Sequence, residues 1–269
     1  MSVGRCVSVM IMLVALSGCR EAGRESAAPP HADSPYVARA EKEVYKAFAE
    51  LQRQDDAERK QGLAVRKLLR GDPQRKWIAL TFDDGPHPDY TPRLVEILKR
   101  YKVKATFFVV GKMAEQYPDL VRLLYQEGHA IGNHTYHHVN LTRLEAEQIA
   151  VEIKACGEVI QSLTGHAPHL FRPPGGDYNP TVAEIANALG YWLILWTDDP
   201  GDYARPNEAI LKQRVLDQLS NGGIILLHDG VPETIDLLPQ LLDYLKREGY
   251  EVVLVDRMLS SEQPHSANR

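Results

Sequence analysis

From Lys76 to Asp256 the chain alternates short apolar runs with amphipathic stretches, and this alternation limits the possible folds more than any other feature. The runs are WIALTF (77–82), ATFFVV (105–110), HAIGN (129–133), HLFR (169–172), YWLILWT (191–197), GIILLH (223–228) and EVVLVD (251–256). Most are nearly continuous in apolar character, as expected of strands covered on both faces. Between them lie stretches with helical spacing, among them TPRLVEILKRY (91–101) and a long one from Leu144 to Leu163. Strands linked by helices run parallel, because a parallel pair needs a long crossover. The expected fold class is therefore α/β with a parallel sheet, and the pattern alone fits both an open doubly wound sheet and a closed barrel.

Polar clusters sit where these apolar runs end. TFDDGP (81–86) closes the first run, NHTYHH (133–138) follows the third, RPPGG (172–176) the fourth, TDDPGDY (197–203) the fifth, and His228-Asp229-Gly230 ends the sixth. The C-terminal ends of parallel strands are where both barrels and open sheets build their sites. A nucleic-acid partner is not expected: the net charge is −5 and no basic block supplies phosphate contacts.

His134 and His138 stand four apart, so one helical turn or a tight loop brings both imidazoles to one side. With a carboxylate from another strand end they make a three-ligand set with open positions, which is catalytic in character. Imidazole with carboxylate favours Zn2+, with Co2+, Ni2+, Fe2+ or Mn2+ as alternatives. His129 and His137 are surplus to this set. Adjacent carboxylates on an extended segment point in opposite directions. Of Asp83 and Asp84, one can therefore bind the metal while the other accepts a proton from water, in an order that spacing leaves open.

TFDDGP, His134-x-x-x-His138, Arg172-Pro173-Pro174-Gly175, Asp199-x-x-Asp202-Tyr203 and Leu226-x-His228 occur in that order. Together they resemble the five motifs of the polysaccharide deacetylase family, the NodB-homology or carbohydrate esterase family 4 group. The resemblance covers about residues 76–256 and implies a distorted (β/α) barrel of about seven strands. It further implies that Asp83 is the general base, that Asp84, His134 and His138 bind the metal, and that His228 is the general acid. Arg172 would hold the base ionised, with Asp202, and Asp199 as a second candidate, orienting the groups around His228. Gly175 would offer its backbone N–H to an oxyanion, Leu226 would line a pocket for an acetyl methyl with Trp196 beside it, and Tyr203 would form a groove wall. The implied reaction is metal-dependent N-deacetylation of an N-acetylglucosamine-containing polysaccharide, peptidoglycan or poly-N-acetylglucosamine. Two positions depart from the family pattern: Gly175-Gly176 stands where an aromatic residue often follows RPP, and Tyr203 where Trp is usual. Two other readings use the same residues, a carbohydrate O-acetyl esterase and a non-catalytic glycan-binding lipoprotein.

The N-terminus has a different character. Arg5 precedes an apolar run from Cys6 to Leu16 that is short for a membrane span and fits a signal peptide. Leu16-Ser17-Gly18-Cys19 resembles a bacterial lipobox, which implies cleavage after residue 18 and lipidation of Cys19. By resemblance to Gram-negative lipoproteins, Arg20 rather than Asp after the Cys implies the periplasmic face of the outer membrane. With Cys6 removed and Cys19 acylated, only Cys156 would remain, and no internal disulfide could form. Residues 19–34 read as a flexible tether, residues 35–72 as a helical segment without chemistry, and residues 257–269 as a tail. No protein partner is implied.

Overall fold

A computed structural model of the chain describes Met1 and residues 45–63 and 65–262. The signal peptide, the Cys19 lipobox, the tether and the start of the helical segment lie outside the described residues.

Seven strands form one continuous parallel sheet: β1 (Lys67–Leu68), β2 (Trp77–Asp83), β3 (Thr106–Val109), β4 (Ala130–Asn133), β5 (Leu170–Phe171), β6 (Trp192–Ile194) and β7 (Gly223–His228), in the order β1-β6-β5-β4-β3-β2-β7. A two-residue β8 (Glu251–Val252) pairs with the start of β2. The sheet curls until the chain just beyond β6 meets β7. There Asp198 bridges Ile225, with the Leu226 N–H donating to the Asp198 carbonyl at 2.8 Å. This curled, distorted (β/α) barrel resolves the choice between open sheet and barrel that the alternation left open.

The long buried strands follow from their composition. Every residue of β2 after Trp77 and every residue of β7 is buried, which suits apolar runs covered on both faces. Helices pack around them: α1 (Phe48–Lys60), α2 (Thr91–Tyr101), α3 (Gly111–Gln116), α4 (Pro118–Gln126), α5 (Ala146–Thr164), α6 (Pro180–Ala188), α7 (Glu208–Gln218), α8 (Pro232–Arg247) and α9 (Val255–Glu262). In α5 the buried Ile149, Ile153, Cys156 and Ile160 recur at three- and four-residue spacing, and Gly165 ends the helix in the left-handed conformation. Cys156 is a small core residue: it is fully buried, its thiol donates to the Val109 carbonyl at 3.4 Å, and burial pushes it up to about 12.

Three boundaries differ from the sequence reading. The helical segment expected over 35–72 is, within the described residues, the helix α1 followed by strand β1. The pair Lys67-Leu68 is too short to show a strand period and is recruited by the open edge of β6. EVVLVD contributes only two strand residues before α9 begins at Val255. The region read as a tail from 257 starts within α9, whose Met258 and Leu259 are buried against the barrel core.

A buried ion cluster joins α1 to β1, and a hydrogen bond from Tyr178 links it to the chain after β5. Lys67 Nζ lies 2.6 Å from Asp55 and also contacts Glu58, and its side chain is only 5% exposed. Glu58 accepts a hydrogen bond from the Tyr178 hydroxyl at 3.3 Å. Removing the cation leaves buried Glu58 without its ion-pair partner and Asp55 with Arg59 alone. Lys67→Ala is therefore expected to lower unfolding free energy by about 3 kcal/mol, read by urea melts, and adding Glu58→Gln should recover part of the loss.

Candidate functional site

Arg172 follows β5 and is completely buried inside the barrel. Its guanidinium donates to the Ile194 and Leu195 carbonyls, each at 3.2 Å, to the Thr81 hydroxyl at 2.8 Å and to Asp83 Oδ1 at 2.7 Å. Its Cζ lies 4.2 Å from the centre of the Phe108 ring and 5.6 Å from that of Trp196. Asp83, the last residue of β2, is thus held at a fixed angle by a charge-assisted bond. The strand geometry also supplies a register: Asp83 is paired with His228 of β7 and with Phe108 of β3.

Asp83 and Asp84 do diverge, but not by strand alternation. Asp83 ends the strand, and Asp84 takes the left-handed conformation at φ 72°, which turns its carboxylate toward the loop after β4. Asp tolerates this conformation better than most residues. The turn continues through Gly85, where a Cβ would come within 2.5 Å of the Asp229 carboxylate.

His134 and His138 meet through a loop rather than a helical turn. Thr135 and His138 both have positive φ, and the Thr135 hydroxyl accepts the His138 N–H at 3.0 Å. Asn133 fixes the loop start by accepting the Thr135 N–H at 2.9 Å and donating to the Ile153 carbonyl at 2.7 Å. The two Nε2 atoms lie 3.2 Å apart, and Asp84 Oδ1 is 2.9 Å from His138 Nε2 and 3.5 Å from His134 Nε2. His134 Nδ1 bonds the Arg172 carbonyl at 2.7 Å. A carbonyl can only accept, so Nδ1 carries the proton and Nε2 keeps its lone pair.

Three buried electron-rich atoms therefore converge from Asp84, His134 and His138, all within 4.8 Å of one another. No well-directed hydrogen bond reaches Asp84 Oδ1. Burial works to raise the Asp84 carboxyl, but the imidazoles of His138 and His134 beside it, with His228 further off, hold it well below the usual carboxylate range. A buried carboxylate kept ionised against two histidine ring nitrogens fits a divalent cation.

On the other side of Asp83, His228 ends β7. Its Nδ1 bonds Asp202 Oδ1 at 2.6 Å, and its own N–H donates to Asp202 Oδ2 at 2.8 Å. The Thr234 hydroxyl, from α8, fills the remaining lone pair at 2.5 Å. Burial alone would lower the imidazole, but the Asp202 carboxylate and its hydrogen bond raise it to about 10. Nε2 is buried without a hydrogen-bond partner. His228 is thus a protonated donor with a free N–H.

The remaining sequence candidates fall in different places. Asp202, not Asp199, contacts His228; Asp199 accepts the Gly201 N–H at 2.9 Å, and burial raises it to about 6. Trp196 is fully buried, so close to Gly176 that a Cβ there would come within 2.5 Å of its ring. Tyr203 meets the His228 ring edge-on at 5.5 Å, and Leu226 is buried in β7 two residues before it. Gly175 is buried in a turn with φ 63°. His137 is turned outward to Glu152 at 2.7 Å, and His129 accepts the Ala105 N–H at 3.1 Å in the core.

Sequence reasoning missed Thr81 and Thr234, which satisfy Arg172 and Asp202. Thr81 was visible as a hydroxyl within an apolar strand; Thr234 lies on a helix, where its sequence carries no signal. It also missed Tyr45, whose ring meets that of His228 at 5.0 Å.

A family model described as polysaccharide deacetylase matches residues 70–194. The peptidoglycan-N-acetylglucosamine deacetylase of Bacillus cereus is 39% identical over 189 residues, covering 68% of this chain and 88% of that protein. The peptidoglycan-N-acetylmuramic acid deacetylase PdaC of Bacillus subtilis is 36% identical, and the match spans 70% of this chain but only 39% of PdaC. The solved structure of PdaC superposes with a TM-score of 0.66 at 35% identity, covering 71% of this chain and 94% of that one.

The geometry separates the two adjacent carboxylates by a metal measurement. Asp84→Ala is expected to abolish stoichiometric zinc binding in isothermal titration, whereas Asp83→Asn should retain it. The opposite result would exchange their positions.

Proposed function

Because the chain belongs to the polysaccharide deacetylase family and is a hydrolase of carbohydrate esterase family 4, we propose that it removes N-acetyl groups from the N-acetylglucosamine residues of a cell-envelope polysaccharide, peptidoglycan foremost. The observation that carries this reading is the placement of an arginine-paired carboxylate and a protonated imidazole, Asp83 and His228, on paired positions of adjacent strands beside a three-residue metal set. The names of the Bacillus relatives support peptidoglycan as the polymer.

Amide hydrolysis requires a base for water and an acid for the amine. When bound by Asp84, His134 and His138, a divalent cation, Zn2+ by ligand chemistry, supplies a Lewis acid that polarises the amide carbonyl and acidifies a water. Asp83, aimed by Arg172, accepts a proton from the attacking water as the new C–O bond forms. His228, held by Asp202, donates its Nε2 proton to the sugar nitrogen as the C–N bond breaks. The products are acetate and a free amine. Asp202 fixes the tautomer and charge of His228, so base and acid are both in the correct state at one pH. The Gly175 N–H remains the candidate oxyanion donor. An O-acetyl ester would need the acid less, since an alkoxide is a better leaving group than an amine anion; the strong Asp202–Thr234 support of His228 favours the amide.

Acetate release is expected from peptidoglycan, with less from poly-N-acetylglucosamine, chitin oligomers and acetyl-xylan, and it should vanish with a chelator. Release from acetyl-xylan alone would replace this reading by the esterase. Because Asp202 raises His228, Asp202→Asn should lower its pKa and move the alkaline limb of kcat/KM to lower pH. An unmoved limb would remove His228 as the acid.

The lipobox supports a lipid anchor at Cys19 and a place at the periplasmic face of the outer membrane, where a tethered hydrolase meets an immobile polymer. In membrane fractionation, Cys19→Ser is expected to shift the protein to the soluble fraction; continued sedimentation with the outer membrane would dismiss the anchor.

A further inference from the structure

Tyr45 precedes α1 and belongs to no strand of the barrel, yet it is only 8% exposed and sits among the site groups. Its ring stacks on Tyr203 with centroids 4.4 Å apart and planes at 29°. It meets the His228 imidazole edge-on at 5.0 Å and tilts against Trp196 at 6.1 Å. The segment is anchored there. The Lys46 N–H donates to the Gly175 carbonyl at 3.3 Å, and Lys46 Nζ pairs with Asp177 at 2.9 Å. At the turn it crosses, Gly175 and Gly176 have φ of 63° and 67°, and Trp196 leaves no room for a side chain on Gly176. Gly175 and Gly176 therefore bring no side chain to the site, and the ring that covers this side arrives from the N-terminal segment.

The reaction geometry says what such a ring would touch. The scissile nitrogen must come within reach of His228 Nε2, and the attacking water within reach of Asp83. The carbonyl carbon then lies between them. Its remaining substituent is the acyl chain, the one apolar part of the reacting group. The apolar surface facing His228 is Tyr45 stacked on Tyr203, with Trp196 behind. We infer that Tyr45 contacts the substrate as the outer wall of the acyl pocket, so that the segment before the barrel sets which acyl chain is removed. This inference rests on the deacetylase reading above.

The test compares the full-length protein with Tyr45→Phe, Tyr45→Leu and Tyr45→Ala on glucosamine oligomers carrying N-acetyl, N-propionyl or N-butyryl groups. Zinc content and melting temperature are measured for each. Tyr45→Phe should keep the wild-type preference. Tyr45→Ala should raise the propionyl-to-acetyl ratio of kcat/KM by about tenfold, the scale of one methylene in an apolar pocket, with Tyr45→Leu between. A ratio unchanged in all three variants, with the wild type active, would overturn the pocket wall and leave the deacetylase reading intact. Higher activity of Tyr45→Ala on the N-acetyl oligomer would also overturn it, since the ring would then block the site. Absence of acyl release by the wild type from every oligomer and from peptidoglycan would overturn the deacetylase reading, and the inference with it.

Discussion

A guanidinium buried in the centre of a barrel must have every donor and its charge satisfied, or the fold would not tolerate it. Arg172 meets this requirement with two backbone carbonyls beside β6, the Thr81 hydroxyl and the Asp83 carboxylate, while its own carbonyl takes the His134 Nδ1 proton. One residue, through its side chain and its carbonyl, thus ties β2, the loop after β4 and the end of β6 into one arrangement. The orientation of Asp83 and the packing of Trp196 and Phe108 follow from where that charge sits, and the tautomer of His134 from the carbonyl of the same residue.

Charge is sorted across the site by the same kind of local pairing. Asp84 is kept ionised by two imidazoles, and His228 is kept protonated by a carboxylate that itself holds a backbone N–H and a threonine hydroxyl. The two halves are separated by Asp83, whose partner is a permanent cation. Each of these charges has its partner in place within the folded site. This pre-arrangement is what a low-dielectric site can offer and bulk water cannot.

The parts of this architecture that sequence revealed are those carried by local pattern. Buried parallel strands read as apolar runs, and their C-terminal clusters read as Asp, His and Arg motifs, so TFDDGP, the His134–His138 pair and His228 are all legible in the sequence. The parts that escaped depend on contacts between distant segments. Lys67-Leu68 becomes a strand only because β6 has an open edge. Alternation suggested that Asp83 and Asp84 diverge, and they do, but through the left-handed turn at Asp84, a conformation that Asp permits without announcing it. Tyr45 is one aromatic residue in a helical-looking stretch, and nothing nearby in sequence marks its place beside His228.

The segment from Tyr45 to Leu68 alters the meaning of modularity for this barrel. A unit excised where the family match begins, at residue 70, would lose β1 and leave the outer edge of β6 with unpaired backbone groups at Leu193 and Leu195. Such an edge invites pairing with another chain. Grafting or swapping this barrel between proteins would therefore carry a hidden dependency: its seam and one side of its cleft are contributed by sequence that family comparison treats as a preamble.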